Sequence, residues 1–242
     1  MDDKTIKYYS SFSVKGISCP MCFVEGGTFT LGADKYARPI ILPSFYMAQF
    51  PVTQALYEAV METNSNRSKY KGANRPQTNI YLNEARDFTQ RLRSMTNKLF
   101  RLPSESEWEF AARGGIHSQN YKYAGSDDLK QVGWYDENSG GETKPVGLLL
   151  PNELGLYDIS GNIWEWCEDD WHNDAKLNDK DRPLDGSAWI DGVTKEEWTV
   201  LQVLRGGGYW NNVVDCRPAF RNNGGRPDSR LNFIGFRLVL SL

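Results

Sequence analysis

Apolar residues recur at helical spacing in three stretches of the chain. Gln54 to Met61 is the first, with Thr53 standing before it as an N-cap. Ala85, Phe88, Leu92 and Met95 recur on a 3–4 period and predict a second helix over Asn83 to Met95. The third helix is the best punctuated. Pro103 precedes it, and Ser104 and Glu107 have capping-box spacing. Trp108, Phe110, Ala111 and Ala112 are its apolar positions, and Gly114-Gly115 follows as a C-cap. Ahead of the helices, Met1 to Lys15 is polar with alternating aromatics, Tyr8 and Phe12, and reads as an edge strand. Phe23 to Gly27 and Thr28 to Leu31 read as a strand leading into a glycine turn. Beyond Gly115 the helical period disappears, and Lys180 to Gly186 reads as an exposed loop. Two to three helices framed by short strands and much irregular loop predict an α+β fold.

Composition narrows the functional classes. At 242 residues and 40% hydrophobic, the chain suffices for one large domain. A net charge of -3 offers no broad basic surface for nucleic acid. No apolar run approaches the roughly 20 residues of a membrane helix, and the polar start Met1-Asp2-Asp3-Lys4 is not a signal peptide. Four cysteines are too few for a disulfide scaffold. Cys19 and Cys22, in Cys-Pro-Met-Cys, read as a local disulfide or two free thiols, ahead of metal or redox chemistry. Cys167 and Cys216 are single and far apart. His117 and His172 lie in polar loops and read as isolated surface histidines. Trp108, Trp164 and Trp166 are expected in the core, and Arg101, Arg113 and Arg205 as structural ion-pair donors.

Several runs, in order, resemble the formylglycine-generating-enzyme (sulfatase-modifying factor) family. They are Gly26-Gly-Thr-Phe29, Phe45-Tyr46 with Pro51-Val-Thr53, Arg101 to Gly115, Pro151 to Cys167, Leu204-Arg-Gly-Gly207 and Ile234-Gly-Phe-Arg237. The match begins near residue 23, leaving 1–22 as a lead-in and 23–242 as the domain. The resemblance implies a C-type-lectin-like fold with extended loops. It also implies a structural calcium held by the carboxylates of Asp158 and Glu165 and the backbone carbonyls of Gly161 and Ile163, oxygen ligands that suit that ion. The alternative is that Asp158 caps a turn and Glu165 pairs with an arginine.

The family's oxidase, the resemblance further implies, binds copper through two cysteines just beyond the Arg-Gly-Gly motif. Cys216 stands at the second position, but Asn211 stands at the first. An amide is a poor ligand for copper(I), so no catalysis and no required cofactor are expected. The family's iron-dependent branch needs a histidine cluster that two histidines cannot form.

Arg205 to Leu242 has its own composition. It contains no Lys, Glu, Gln or Met and is crowded with Asn, Gly, Arg and aromatics, a mixture similar to antibody paratopes. Its layout resembles the variable proteins of diversity-generating retroelements, in which adenines of a template copy are randomised and AAC codons become any codon ending in C. The expected ligand-binding positions are Tyr209, Asn212, Val214, Asp215, Phe220, Asn223, Gly225, Ser229, Leu231 and Phe233. Trp210 is unreachable by that route, and is expected as fixed scaffold that also touches ligand. Arg205, Cys216, Arg217, Arg221, Pro227 and Ile234 to Arg237 read as the fixed frame. The resemblance implies a monomer displayed at the cell surface, with a protein or glycan on another cell as ligand. Two other readings stay open. One is an enzyme using Cys216 as an accessible thiol of lowered pKa near Arg217 or Arg221. The other is a module that binds carbohydrate or protein with fixed specificity.

Overall fold

Lys15 and Gly16 both adopt positive φ, 49° and 82°, the geometry of a two-residue hairpin turn. They join β1 (Tyr9–Val14) to β2 (Ile17–Val24), which pair antiparallel from Tyr9↔Cys22 to Val14↔Ile17. This computed structural model describes residues 9–32, 38–63, 66–172, 182–190, 200–222 and 224–242. The hairpin is the edge of a five-stranded sheet ordered β1-β2-β5-β10-β6, in which β5 is Phe45–Ala48, β6 is Phe100–Arg101 and β10 is Val239–Ser241. The lead-in therefore supplies an edge strand, as its alternation predicts, and residues 9–22 are part of the main sheet. The last strand of the chain lies between β5 and β6.

Both faces of this sheet are covered. Successive strand residues point to opposite sides, so Cys19 and Met21 enter one core while Cys22 and Val24 enter the other. The two thiols of Cys-Pro-Met-Cys are thus separated by the sheet itself. Both are free and buried, and of the two leading sequence readings the disulfide is excluded. On the first face pack α1 (Gln54–Met61) and α2 (Leu82–Thr96), through Leu56, Val60, Ala85, Phe88 and Leu92. Thr53 caps α1 by accepting the Leu56 N–H at 3.3 Å. On the second face lies α3 (Glu105–Ala112), with the expected reciprocal cap between Ser104 and Glu107. All eight residues of α3 are buried. A fourth helix, the single turn α4 (Leu129–Val132), was too short to show a period.

Two smaller sheets complete the fold. Strand β3 (Gly27–Leu31) pairs with β4 (Arg38–Leu42). Strand β7 (Trp164–Asp170) lies between antiparallel β8 (Gln202–Arg205) and parallel β9 (Ile234–Phe236). The segment between β8 and β9 is therefore tied at both ends to one buried strand. Trp108, Trp164 and Trp166 are all in the core, as expected.

Candidate ligand-binding surface

The loop from β8 to β9 starts from a buried charge cluster. Arg205 has no solvent exposure, and its guanidinium pairs with Glu109 and stands 3.7 Å from Glu105. Glu105 also accepts from Arg221 at 2.6 Å and Arg182 at 3.2 Å. Burial raises the Glu105 carboxyl, but Arg221, Arg205 and Arg182 outweigh it and bring it to about 2. Leu184 and Asp185 are exposed, as the reading of 180–186 as an exposed loop has it, but Arg182 in the same segment is buried and belongs to this cluster. His172 is likewise no surface histidine. It is buried and stacked on Trp189 at 3.6 Å, and its carbonyl accepts from Arg221. His117 is exposed, as read.

From this anchor the chain turns through Gly206 and Gly207, at φ 103° and 78°. A Cβ on Gly207 would lie 2.8 Å from the Cys216 sulfur, so the turn and that cysteine pack directly. Asn211 is buried between them. Its Oδ1 accepts from Trp164 Nε1 at 2.9 Å and from the Gly208 N–H at 3.0 Å, and its Nδ2 donates to Asp215 at 2.8 Å. An amide can do all three because it carries an acceptor and two donors; a thiol cannot. Cys216 is fully buried among Tyr123, Leu129, Val132, Tyr135 and Val213. Burial first, then Asp215 and Asp136, push its thiol up to about 12. The accessible, acidic thiol required by the cysteine-enzyme reading is absent. Maleimide at neutral pH is expected to leave Cys216 unlabelled in the folded protein and to label it after denaturation. Rapid labelling of the native state, read by mass spectrometry, would overturn its place in the frame.

The expected binding positions divide by burial. Trp210, Asn212, Val214 and Leu231 are exposed, the first to 50%. Trp210 meets the half-buried ring of Phe233 edge-on, with centroids 5.1 Å apart. Asp215 and Ser229 are also half-buried. Three positions behave as frame, not as an open face. Tyr209 is buried edge-on against Tyr70 at 5.6 Å, with its carbonyl accepting from Ser139. Phe220 packs 6.2 Å from Trp164, and its carbonyl accepts from Arg205. Gly225 bridges Gln202, and a Cβ there would lie 2.7 Å from Leu204 and Trp166. Tyr209 is buried while Phe220 and Gly225 are half-buried, and it is the contacts just named that leave them little room for other side chains. Asn223 lies outside the described residues. Arg217, read as frame, is exposed. Tyr70 carried no sequence signal, because it sits in an aperiodic loop.

The calcium reading does not fit this geometry. Both Glu165 oxygens accept from Arg237, at 2.9 to 3.2 Å, and Oε2 also accepts from Trp108 Nε1. A guanidinium on both oxygens of Glu165 opposes a divalent cation there. Asp158 accepts from the Gly147 N–H and from Asn162 Nδ2, and the Gly161 carbonyl from the Ile163 N–H. Glu165 thus pairs with an arginine, as the alternative had it. No group of three or more His, Cys, Asp or Glu among the described residues is placed to hold a metal ion.

Two buried aspartates make stability depend on pH. Burial, partly offset by hydrogen bonds, raises Asp158 from 3.8 to about 6. Burial and then the Glu105 charge raise Asp169 to about 7. Both bind their protons more tightly in the native chain than in the unfolded one. Their stabilising contribution is full below the unfolded value and is lost as pH rises through about 6 and 7. Glu105 has the opposite sign, and its contribution is lost only as pH falls toward about 2. The melting temperature is therefore expected to fall between pH 5 and pH 8, and Asp158→Asn to flatten that fall. An identical slope in the variant would remove Asp158 from this account.

Comparison with known proteins agrees with the geometry. A family model described as the sulfatase-modifying factor enzyme 1-like domain matches residues 17–242. The chain is 30% identical over 234 residues to the chaperone protein LppX of Paenibacillus barcinonensis, covering 75% of this chain and 82% of that one. It is 37% identical over 102 residues to the inactive C-alpha-formylglycine-generating enzyme 2 of Bos taurus, covering 38% of this chain and 33% of that longer protein. The solved structure of Treponema denticola variable protein 1 superposes with a TM-score of 0.82 at 27% identity, covering 97% of this chain and 99% of that one. The fold is the α+β, C-type-lectin-like arrangement of the formylglycine-generating-enzyme type that the motifs implied. The family model spans all but the first strand of the main sheet, so this chain belongs to the sulfatase-modifying factor enzyme 1-like domain family.

Proposed function

We propose that this chain is a non-catalytic ligand-binding protein that presents a diversified C-terminal surface on a fixed frame. The observation that carries the reading is the alternation at its centre. Trp210 and Asn212 face solvent while Asn211 between them is locked by three hydrogen bonds. A surface of that kind lets side chains change without disturbing the backbone that holds them. An exposed tryptophan edge-on to a phenylalanine, flanked by small polar residues, is the composition of a rigid paratope. The similarity to a solved variable protein over nearly the whole chain supports the same reading. Catalysis is disfavoured by the sealed Cys216 and by Asn211 in the place implied for the first cysteine of the pair.

The ligand in this reading is a protein or glycan on another cell, bound by a monomer at the cell surface with no required cofactor. No helix among the described residues is long and apolar enough to cross a membrane. Sequencing the DNA downstream of the gene tests the proposal. The expected result is a near-copy of the codons for Arg205 to Arg237, differing at adenines, beside a reverse-transcriptase gene. Its absence would remove the diversification, and the surface would then be one of fixed specificity.

A further inference from the structure

Trp210 leaves half of its surface open to solvent and meets the half-buried ring of Phe233. Val214 and Leu231 are exposed along the same loop between β8 and β9. Exposed apolar side chains gathered on one segment mark an interaction surface. Aromatic anchors of this kind dominate affinity where a protein partner covers them.

The charge beside the tryptophan says what such a partner brings. Asn211, the next residue, is held between two acidic residues. The Asp136 N–H donates to its carbonyl at 3.0 Å, and the Asp215 carboxylate accepts from its Nδ2 at 2.8 Å. Neither carboxylate has an ion-pair partner among the described residues, and the exposed Asp136 side chain makes no hydrogen bond. Arg217, exposed two residues beyond Asp215, pairs with neither. Other acids nearby are already engaged: Glu137 with Lys130, and Glu142 with Arg75 and Lys144. Two unpaired carboxylates beside an open indole ring favour a cation over an anion or a neutral group. A guanidinium is flat enough to lie on the indole and to fork onto a carboxylate, whereas an ammonium is a strongly hydrated point charge. A neutral sugar would use neither carboxylate's charge and would gain little from Val214 and Leu231.

We propose that this surface takes an arginine side chain from a basic segment of a protein ligand, with Trp210 as the stacking platform and Asp136 and Asp215 as its counter-charges. The inference rests on the ligand-binding reading and selects protein over glycan for this chain. The two carboxylates differ in origin. Asp215 is one of the positions expected to vary, whereas Asp136 lies outside that segment, in the loop after α4. Asp136 therefore gives the surface a fixed preference for cations, which diversification modulates without removing.

The test is a titration of ¹⁵N-labelled full chain with the peptide acetyl-Gly-Leu-Arg-Leu-Gly-amide at constant ionic strength. Counterparts carry Lys, citrulline or Glu in place of Arg, and N-acetylglucosamine stands for a glycan. The signals read are the indole N–H of Trp210 and the side-chain amide of Asn212. The arginine peptide is expected to move both saturably, and the lysine peptide to bind more weakly. Citrulline has the shape of arginine without its charge and should bind about 3- to 10-fold more weakly than arginine. Asp136→Asn, at an exposed position, should weaken the arginine peptide about 2- to 5-fold. Trp210→Ser, read at Asn212, should weaken it about 3- to 10-fold. The proposal is overturned if citrulline matches arginine, if the glutamate peptide binds as well, or if Asp136→Asn has no effect. It is equally overturned if only N-acetylglucosamine moves the signals or if no peptide does. Failure of every peptide, where the downstream template copy exists, sinks the arginine site alone. A missing template copy sinks the diversified surface whatever the titration shows.

Discussion

Arg237→Met is expected to lower stability by about 3–5 kcal/mol, the cost of orphaning a buried ionic partner. Arg237 is fully buried and donates to both oxygens of Glu165, and to the carbonyls of Ala48, Gln49 and Tyr157. Methionine fills much of the volume but supplies no donor. Glu165 would then keep only the Trp108 indole, and three carbonyls would lose their guanidinium donor. For a chain of this length the melting temperature should drop by roughly 10 °C. Adding Glu165→Leu should recover part of the loss, because the second variant removes the unpaired charge. Urea unfolding of the two variants measures both effects. A shift under 3 °C in the single variant would show that this pair is not the clamp described. The exposed pair Lys15–Glu62 makes the contrast, since Lys15→Ala should leave the unfolding midpoint essentially unchanged.

The second large effect concerns neighbours with opposite fates. Asn211→Leu is expected to cost about 2–4 kcal/mol, because two buried donors, Trp164 Nε1 and the Gly208 N–H, lose their acceptor. Trp210→Ser, Asn212→Ser and Val214→Ser should each stay within about 1 kcal/mol, since these side chains face solvent. Chemical denaturation of the four variants decides the matter. If the three exposed positions prove as costly as Asn211, the loop is a packed structural element and cannot tolerate diversity. If Asn211→Leu is harmless, the frame lies elsewhere. The same logic places Tyr209 and Gly225 among the costly positions, although their residue types fit a randomised segment. The ring of Tyr209 is packed on Tyr70, and Gly225 touches Trp166 and Leu204.

What the sequence alone determined was local or came from long motifs. The caps of α1 and α3, the period of α2 and the edge strand before Lys15 depend on neighbours within a few residues. The runs at Arg101 to Gly115 and Pro151 to Cys167 were enough to place the chain in its family. The composition of Arg205 to Leu242 marked the segment as unusual. Only the tertiary structure decided which of its residues face out. Tyr209 and Trp210 are adjacent aromatics, yet one is buried and the other half-exposed, because Tyr70 from a distant loop covers the first. Glu105, Glu107 and Glu109 are all buried, because Arg101, Arg182, Arg205 and Arg221 converge on them from four other segments. Cys19 and Cys22 are close in sequence and lie on opposite sides of a sheet that is covered on both faces. Glu165 had two open readings until Arg237, 72 residues on, was seen to occupy both its oxygens. Caps and periods are set by contacts a turn away, whereas burial and charge pairing depend on which distant segment arrives, and that is a property of the folded chain.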